Sequence, residues 1–373
     1  MPTVLTQVPF VDLARQHAEQ QGALEAALLA AFRAGAYCNG PTVHRFETLA
    51  ADYLGEGVSC IATSSGTDAL LLAIQALGLE LGQEVITPTF SFFASASAIN
   101  LAGGTPRFAD IDPGTYCVTP STLEAAWSPQ VRGAIVVHLY GHPAPMPEIL
   151  EWARSRGCWV LEDCAQAFGA RLAGRRAGTF GEAAAVSFYP TKNLNACGDA
   201  GMIVARDPEV AERMRLLRTH GERPRYTHTM LGRNARMDDL QAAILETKLP
   251  RLDHWNARRR EIALEYSSAF AGLPIQLPPG PRGGIEPIFH QYTIATDRRD
   301  ALRDHLAARG IGCGVYYPVP LHEQPLYERL GYPPQALPVA HRLSREVLSL
   351  PIFPQLREEE IAAVIDGVRS FYG

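Results

Sequence analysis

The sequence predicts an α/β protein with a large, mostly parallel sheet flanked by helices and a smaller C-terminal α+β unit. Short apolar segments alternate with helical segments between residues 58 and 162. These segments are continuously apolar, which is typical of strands buried on both faces of a sheet. Parallel strands need long crossover connections, and the helical segments supply them. A loop dense in Pro and Gly at residues 274–284 then separates this region from the last part of the chain.

The elements of the large unit follow in chain order. Residues 17–35 are rich in Ala and Leu with a helical period, and Gly35 is placed to end that helix. The alternation then predicts strands at residues 58–62, 84–87, 107–109, 134–138 and 159–162, and helices at residues 67–77, 92–101, 122–127 and 147–156. Two more apolar segments, at residues 183–188 and 202–205, lie close in sequence, so we expect part of the sheet to be antiparallel.

The C-terminal third predicts a different arrangement. Residues 238–273 read as a long helix that is interrupted near Pro250, because proline cannot donate to the helical hydrogen-bond ladder. After the loop, a segment at residues 291–296 and helices at residues 300–309 and 357–371 suggest the smaller α+β unit. The predicted boundary lies near residue 245, which gives a large domain at residues 1–245 and a small domain at residues 246–373.

Composition argues against several classes of protein. The chain of 373 residues is 47% hydrophobic and 20% charged, and its net charge of −5 provides no basic field for nucleic acid or an anionic membrane. No apolar stretch approaches the length of a membrane span, and residues 1–4 do not begin a secretory leader. The seven cysteines are scattered without a C-x-x-C pair, which favours free thiols in a reducing cytoplasm and argues against a metal site.

A small turn at residues 64–70 (SSGTDAL) comes between a predicted strand and the helix that follows. The first N–H groups of a helix are unpaired and lie at the positive end of the helix dipole, so a phosphate binds naturally there. Ser-Gly-Thr before a helix is also a common N-cap. This motif is therefore informative only together with others.

Two ionisable residues follow predicted buried strands. Asp163 ends the apolar segment 159–162, where α/β proteins bind ligands, and its carboxylate could pair with a protonated ring nitrogen. It could equally cap a helix. Lys192 follows the strand that carries Ser187, and a lysine partly removed from water has a lowered pKa and a nucleophilic amine. A surface lysine would be the ordinary alternative.

A polar segment at residues 232–238 (GRNARMD) completes the set, and at this point the sequence resembles a known family. The matching segments, in order, are 9–13, 40–41 with 46–47, 64–70, 160–166, 186–194, 232–238 and 317–325. Together they resemble the sugar aminotransferases of the DegT/DnrJ/EryC1/StrS family. That resemblance implies the type I fold of pyridoxal-phosphate (PLP) enzymes, which is the fold of aspartate aminotransferase.

The resemblance also implies roles for single residues. Lys192 would form the Schiff base with PLP and shuttle a proton, Asp163 would keep the pyridine nitrogen protonated, and Gln166 would contact the ring hydroxyl. Phe92 matches the aromatic residue that stacks on the cofactor ring. The phosphate would be held by Gly66, Thr67, Asp68 and Ser187.

Other matches concern the substrate and the partner subunit. Asn234 matches a residue that reaches the phosphate from the neighbouring subunit, so the resemblance implies a homodimer. Substrate-side positions are matched by Tyr317 and His322, with Arg236 and Tyr226 as candidates for the anionic part of a nucleotide-sugar. Arg236 could pair with the carboxylate of a uronic acid or could brace its own loop, and both interpretations stay open.

The sequence departs from the family pattern at residues 198–201, where Gly-Asp-Ala-Gly replaces the common Gly-Glu-Gly-Gly. Ala200 requires an ordinary φ at that position. A second departure is Cys164, beside Asp163, where the family usually has a small residue. We expect its thiol to be packed in the core without a chemical role. The first of these differences bears on the local loop and on substrate detail.

The implied reaction moves an amino group from L-glutamate, through pyridoxamine phosphate (PMP), to a keto-sugar linked to a nucleoside diphosphate. Residues 219–221 with Tyr226 and His228, and residues 317–325, most resemble members that aminate C3, and amination at C4 is the main alternative. A PLP-dependent sugar dehydratase is disfavoured because the relevant relatives have His in place of the lysine. A regulatory relative without cofactor and an NAD-dependent oxidoreductase are also disfavoured, since the PLP motifs are complete and no Gly-x-Gly-x-x-Gly follows a strand.

Overall fold

The computed structural model describes residues 7–55, 57–333 and 335–373. The N-terminal residues on which the absence of a leader was judged therefore lie outside the described residues. In chain order the strands are β1 Ser59–Thr63, β2 Glu84–Pro88, β3 Thr105–Ala109, β4 Val131–Val137, β5 Trp159–Asp163, β6 Arg171–Leu172, β7 Arg175–Arg176, β8 Ala183–Ser187, β9 Gly201–Ala205, β10 Ile285–Glu286, β11 Tyr292–Ala295 and β12 Val347–Leu350. The α-helices are α1 Leu13–Ala18, α2 Gln21–Ala34, α3 Pro41–Leu54, α4 Gly66–Ala76, α5 Ala94–Leu101, α6 Pro120–Ala126, α7 Met146–Arg156, α8 Pro208–Arg218, α9 Asp239–Lys248, α10 Leu252–Ala269, α11 Arg299–Ala308, α12 Pro338–Glu346 and α13 Glu358–Tyr372.

Within the described residues, the main sheet has seven strands in the spatial order β1-β9-β8-β5-β4-β2-β3. Five adjacent strands, β8, β5, β4, β2 and β3, are parallel to one another. In contrast, β9 is antiparallel to both of its neighbours, β8 and β1. The connection from β8 to β9 contains no helical crossover, so the chain returns antiparallel. The prediction of a mixed, mostly parallel sheet is confirmed.

Both faces of this sheet are buried, which explains why its strands read as continuously apolar. In β8, Ala183 and Ala185 pack into the core that contains α4 and α5. The alternating residues Ala184 and Val186 pack into the opposite core, which contains side chains of α3 and α9. Since successive side chains of a strand point to opposite faces, a strand between two helical layers needs apolar residues at every position.

The C-terminal unit has its own core, built from α10, α11, α13 and the antiparallel pair β11–β12. Tyr266, Phe270 and Tyr292 are buried in it with their rings in contact. Val8, near the N-terminus, also packs into this core. The division at residue 245 stays a prediction, and it falls inside α9.

Most predicted elements are present, with shifts of a few residues at their ends. The long helix predicted at residues 238–273 is two helices, α9 and α10, joined by a 3₁₀ turn at Leu249–Arg251 that contains Pro250. The single helix predicted at residues 17–35 is also wrong in detail, because α1 ends at Ala18 and α2 begins at Gln21. Gly35 ends α2 in the left-handed conformation, as predicted.

The sequence analysis did not predict α3, α8 or α12. In α3 the buried residues Val43, Phe46, Ala50 and Leu54 follow a helical spacing, so the signal was present. In the described residues, no helix is both long and apolar enough to cross a membrane. All seven cysteines are described and none forms a disulfide, so the prediction of free thiols is confirmed.

Candidate active site

A cavity of about 700 Å³ lies where β5 and β8 end and α4 begins. Eight of the residues singled out in the sequence line it: Gly66, Thr67, Phe92, Asp163, Gln166, Ser187, Lys192 and Tyr317. The fold therefore brings together side chains from segments more than 200 residues apart in the chain, as the span from Gly66 to Tyr317 shows. Five other candidates, Asp68, Tyr226, Asn234, Arg236 and His322, do not line this cavity.

Lys192 lies on the connection between β8 and β9, and its backbone N–H donates to Tyr189 O at 2.8 Å in a tight turn. Burial lowers the pKa of its ammonium to about 8, and the nearby carboxylate of Asp163 opposes that shift. The side chain is still partly exposed, because it faces the cavity. Among the described residues Nζ has no hydrogen-bond acceptor and no ion-pair partner, so the amine is available to a ligand in the cavity.

Asp163 ends β5 and is buried. Its Oδ2 accepts a hydrogen bond from Ser95 Oγ at 2.9 Å, and its Oδ1 accepts one from Ala165 N at 3.1 Å. Burial raises the pKa of this carboxyl, while the two hydrogen bonds and Lys192 partly offset the effect. A buried carboxylate without a hydrogen-bonded cation is suited to a positively charged ligand group.

The first turn of α4 packs directly against the end of β8. A Cβ added at Gly66 would lie 2.7 Å from Ser187 Cβ, so only glycine allows this approach. Among the described residues the N–H groups of Gly66 and Thr67 have no acceptor, as expected for the first positions of a helix. With the Ser187 hydroxyl beside them, they form a set of donors suited to a phosphate.

Asp68 is held away from this set of donors. Its backbone N–H donates to the Ser65 side chain at 3.1 Å, which is the N-cap interaction of α4. Its carboxylate accepts from Ser64 Oγ and forms an ion pair with Arg233 at 3.3 Å. The structure therefore gives Asp68 a capping and bracing position beside the cavity.

Gln166 and Tyr317 are joined to each other at the opposite wall. Gln166 Nε2 donates to the Tyr317 hydroxyl at 3.1 Å, and Gln166 Oε1 accepts from Tyr140 N at 2.7 Å. Phe92 lies beside Tyr317, with ring centroids 6.2 Å apart, and its side chain is 58% exposed. A flat ligand could therefore contact the open face of Phe92.

A second, polar cavity of about 390 Å³ contains Asn234 and Arg236. Arg236 Nε donates to Asn234 Oδ1 at 2.9 Å, so within one chain Arg236 braces its own loop. Asp199 lines both cavities. Tyr226 is 77% exposed and lies on the same connection between α8 and α9, outside both cavities.

His322 is buried outside the main cavity. Its Nδ1 is hydrogen-bonded to the Thr89 hydroxyl at 2.7 Å, and its backbone N–H donates to the same oxygen at 3.1 Å. These bonds tie the 3₁₀ turn Leu321–Glu323 to the end of β2. At residues 198–201, Ala200 has an ordinary φ, as its side chain requires.

The sequence analysis missed several residues that line or support the cavity. They include Ser95, which bonds Asp163, and the wall residues Arg259, His290, Gln291 and Ile352. Ser95 lies in a run of Ala and Ser that gives no sign of its role. The wall residues come from the C-terminal unit, where no local motif indicates that they face Lys192.

Lys248 stabilises the connection between β8 and β9, on which Lys192 lies. It is fully buried at the end of α9, and its Nζ donates to Asn195 O at 3.1 Å and to Asn195 Oδ1 at 2.5 Å. His17 Nε2 lies 3.3 Å from the same nitrogen. Burial lowers the pKa of Lys248 to about 8, because no carboxylate among the described residues is paired with it.

His138, Glu162 and Cys164 lie close enough together to suggest a metal site behind Asp163. The hydrogen bonds favour another interpretation. His138 Nδ1 accepts from Ala144 N, so its Nε2 donates to Glu162 at 2.9 Å. Glu162 also accepts from the backbone N–H groups of residues 178, 180 and 181. This is a satisfied buried network that fixes the end of β5.

The donor set fits PLP. An unpaired amine at Lys192 suits the aldehyde, the buried carboxylate of Asp163 suits a protonated ring nitrogen, and the free N–H groups of α4 suit the phosphate. The close contact of Gly66 with Ser187 leaves no room for a side chain beneath that phosphate position.

Comparison with known proteins gives matches along nearly the whole chain. The model of the DegT/DnrJ/EryC1/StrS aminotransferase family matches residues 18–369. A protein of Geobacillus stearothermophilus named pleiotropic regulatory protein is 42% identical over 369 residues, which are 98% of each chain. The dTDP-3-amino-3,4,6-trideoxy-alpha-D-glucose transaminase of Streptomyces venezuelae is 43% identical over 364 residues, covering 98% of this chain and 96% of the relative.

The fold agrees with these matches. The crystal structure of S. venezuelae DesV, solved in complex with a ketimine intermediate, superimposes with a TM-score of 0.95 at 43% identity. The match covers 98% of each chain.

Proposed function

The chain belongs to the DegT/DnrJ/EryC1/StrS aminotransferase family, whose cofactor is PLP, and from this premise we propose that it transfers an amino group from L-glutamate to C3 of a nucleotide-linked keto-sugar. The observation that carries the proposal is the position of Lys192. Its unpaired amine shares one cavity with Asp163, Ser187 and the first turn of α4. These are the donors and acceptors that PLP requires.

When bound, PLP supplies an electron sink that takes up the amino group from one substrate and delivers it to another. The chain's residues would hold it as follows. Asp163 would keep a proton on the ring nitrogen, since a buried carboxylate stabilises a neighbouring cation. Ser187 and the N–H groups of Gly66 and Thr67 would hold the phosphate, and Phe92 would contact the ring.

Lys192 would act as the base and acid of the reaction. Its pKa of about 8 means that the neutral amine is accessible near neutral pH, so Nζ can accept a proton from the amine-bearing carbon of the donor and, in the second half of the transfer, donate one to the sugar carbon that is aminated. Tyr317, on the substrate side, is held in place by Gln166.

The position of amination rests on weaker support. The S. venezuelae relative is named as a transaminase of a 3-amino sugar, which favours C3. The resemblance at residues 219–221, Tyr226 and His228 favours the same position. Amination at C4 is the alternative within the family, and L-glutamate is proposed as donor from the family resemblance alone.

We also propose a homodimer with shared active sites. Asn234 and Arg236 do not line the cavity of their own chain, and they lie in a neighbouring polar cavity that shares Asp199 with it. Large apolar side chains, including Phe32, Tyr37 and Leu231, are exposed on the single chain. A partner subunit could cover these and bring its own Asn234 to the phosphate.

A non-enzymatic role is the second candidate, because one relative is named a regulatory protein. It predicts that the residues holding the cofactor could be lost without consequence. In this chain Lys192, Asp163 and Ser187 are all present and face one cavity, which supports the enzyme.

The test is the visible absorption of the PLP-loaded protein, with Lys192→Ala as the control. We expect an absorption band in the wild type that L-glutamate removes, and no such band in the variant. Nucleotide-linked 3-keto and 4-keto sugars added to the resulting PMP form should then restore the band, the 3-keto compound faster. A band that L-glutamate leaves unchanged would contradict the donor, and faster recovery with the 4-keto sugar would contradict C3. Light scattering on the same sample should give twice 40.6 kDa.

A further inference from the structure

Arg259 stands apart from the other buried arginines of the described residues. Arg176 and Arg218 each have a carboxylate partner, Asp253 at 2.9 Å and Glu47 at 2.6 Å. Arg259 is 5% exposed and has no carboxylate partner among the described residues. A buried cation without a counter-charge is costly, so such a group is suited to an anionic ligand.

The hydrogen bonds of Arg259 leave one edge of its guanidinium unused. Nη1 donates to three backbone oxygens, Ile352 O at 2.8 Å, Phe289 O at 3.2 Å and His290 O at 3.3 Å. The described residues offer no acceptor to Nε, which is buried, or to Nη2. Nη1 therefore fixes the side chain to the backbone, Nε is covered by protein, and Nη2 is the guanidinium nitrogen that remains for a ligand.

Arg259 lines the same cavity as Lys192, and His290 lines it as well. The pKa of His290 lies well below its ordinary value, first because of burial and then because of the charges of Lys192 and Arg259. Both cations are therefore near His290. His290 Nδ1 donates to Asn193 Oδ1 at 3.0 Å. A histidine ring carries no negative charge, so Arg259 still lacks a counter-charge.

We propose that the guanidinium of Arg259 binds, through Nη2, a carboxylate of the amino-acid donor. This assignment rests on the proposed function, in that it needs an amino acid as one of the substrates. A guanidinium N–H and a carboxylate oxygen form a short, charge-assisted hydrogen bond. An amino acid carries a carboxylate on the carbon that bears its amine, so an anion site near Lys192 suits it. In a nucleotide-linked sugar, ring atoms separate the diphosphate from the carbon that is aminated.

The test uses glutarate, a dicarboxylate that has no amine and cannot react. Its dissociation constant is measured by calorimetry on PLP-loaded wild type, on Arg259→Lys and on the control Arg218→Lys. Lysine keeps the charge and can still donate to the backbone oxygens, but it has no second nitrogen to donate to a carboxylate at the same time. Losing this charge-assisted hydrogen bond should raise the dissociation constant on the order of 10- to 100-fold in Arg259→Lys. Arg218→Lys, a buried arginine outside the cavity, should stay within about twofold of wild type.

Three results would overturn the assignment. These are wild type that does not bind glutarate, Arg259→Lys that binds it within about twofold of wild type, and a variant that loses affinity for dTDP instead. If Arg259→Lys does not fold, a crystal structure of the wild-type holoenzyme with glutarate decides, because the carboxylate should lie at Nη2. The proposed function is judged separately by L-glutamate and the visible band, since glutarate binding does not depend on turnover.

Discussion

Replacing Gly66 by Ala tests the contact between α4 and β8 that forms the expected phosphate site. The added Cβ would lie 2.7 Å from Ser187 Cβ and 3.2 Å from Ser187 Cα. Carbon atoms pack best at about 3.5–4.0 Å, so the new atom is too close by up to an ångström or so. The obstructing atoms belong to the backbone and to Cβ, so a side-chain rotation cannot relieve the contact.

The expected cost follows from this geometry. Overpacking of this kind costs about 1–3 kcal/mol, and the better helix propensity of Ala returns at most about 1 kcal/mol. We therefore expect the free energy of unfolding of the apo-protein to fall by about 1–2 kcal/mol. The helix start or Ser187 must also shift, so the dissociation constant of PLP should rise about tenfold, which is about 1.4 kcal/mol.

The assay is denaturant unfolding of the apo-protein together with a PLP titration, with Gly22→Ala as the matched control. Gly22 lies inside α2, and an added Cβ there meets nothing within 4 Å. That change should raise the free energy of unfolding by up to about 1 kcal/mol and leave PLP binding unchanged. Wild-type stability in Gly66→Ala would refute the packing argument. Lost stability with unchanged PLP affinity would refute the placement of the phosphate.

Two further predictions concern residues behind the cavity. Ser95→Ala removes the hydrogen bond to Asp163, so the pKa of that carboxyl should rise and kcat should fall about tenfold, as for loss of a charged hydrogen bond. Ser97→Ala, two residues further along α5, should keep wild-type kcat, and equal kinetics in both variants would contradict the role of Ser95. Lys248 has a folded pKa of about 8 against an ordinary 10.5, so the unfolded chain binds more protons between these values and stability rises with pH there. In urea unfolding from pH 7 to 10.5, wild type should therefore gain roughly 3 kcal/mol relative to Lys248→Met, and parallel pH profiles would show that the buried ammonium is not destabilised.

Much of the fold could be read from the sequence, since its signals are local. A strand buried on both faces has to be continuously apolar, and β8 shows this with alternate residues in opposite cores. Pro250 has to interrupt a helix, and it does so between α9 and α10. The helix α3 was missed although its buried spacing is regular, because Gly and Pro together, as at its start, are also typical of loops.

The candidate site was predicted only in part. Asp163 and Lys192 were singled out because each follows a predicted buried strand, and the family resemblance implied their roles. The residues that position them were not predicted. Ser95 contacts Asp163 from a segment 68 residues away, and nothing in its neighbours indicates that contact.

The sequence by itself determined the alternation of strands and helices, and the chemistry of the residues at the strand ends, since both depend on neighbours along the chain. Only the tertiary structure decided which polar groups are already paired. Arg218 and Arg259 are both arginines of amphipathic helices, yet one meets Glu47, 171 residues away, and the other meets three carbonyl oxygens and an open cavity. Whether a buried charge is satisfied depends on atoms brought together across the chain, so the partner of a side chain becomes known only when the packing is known.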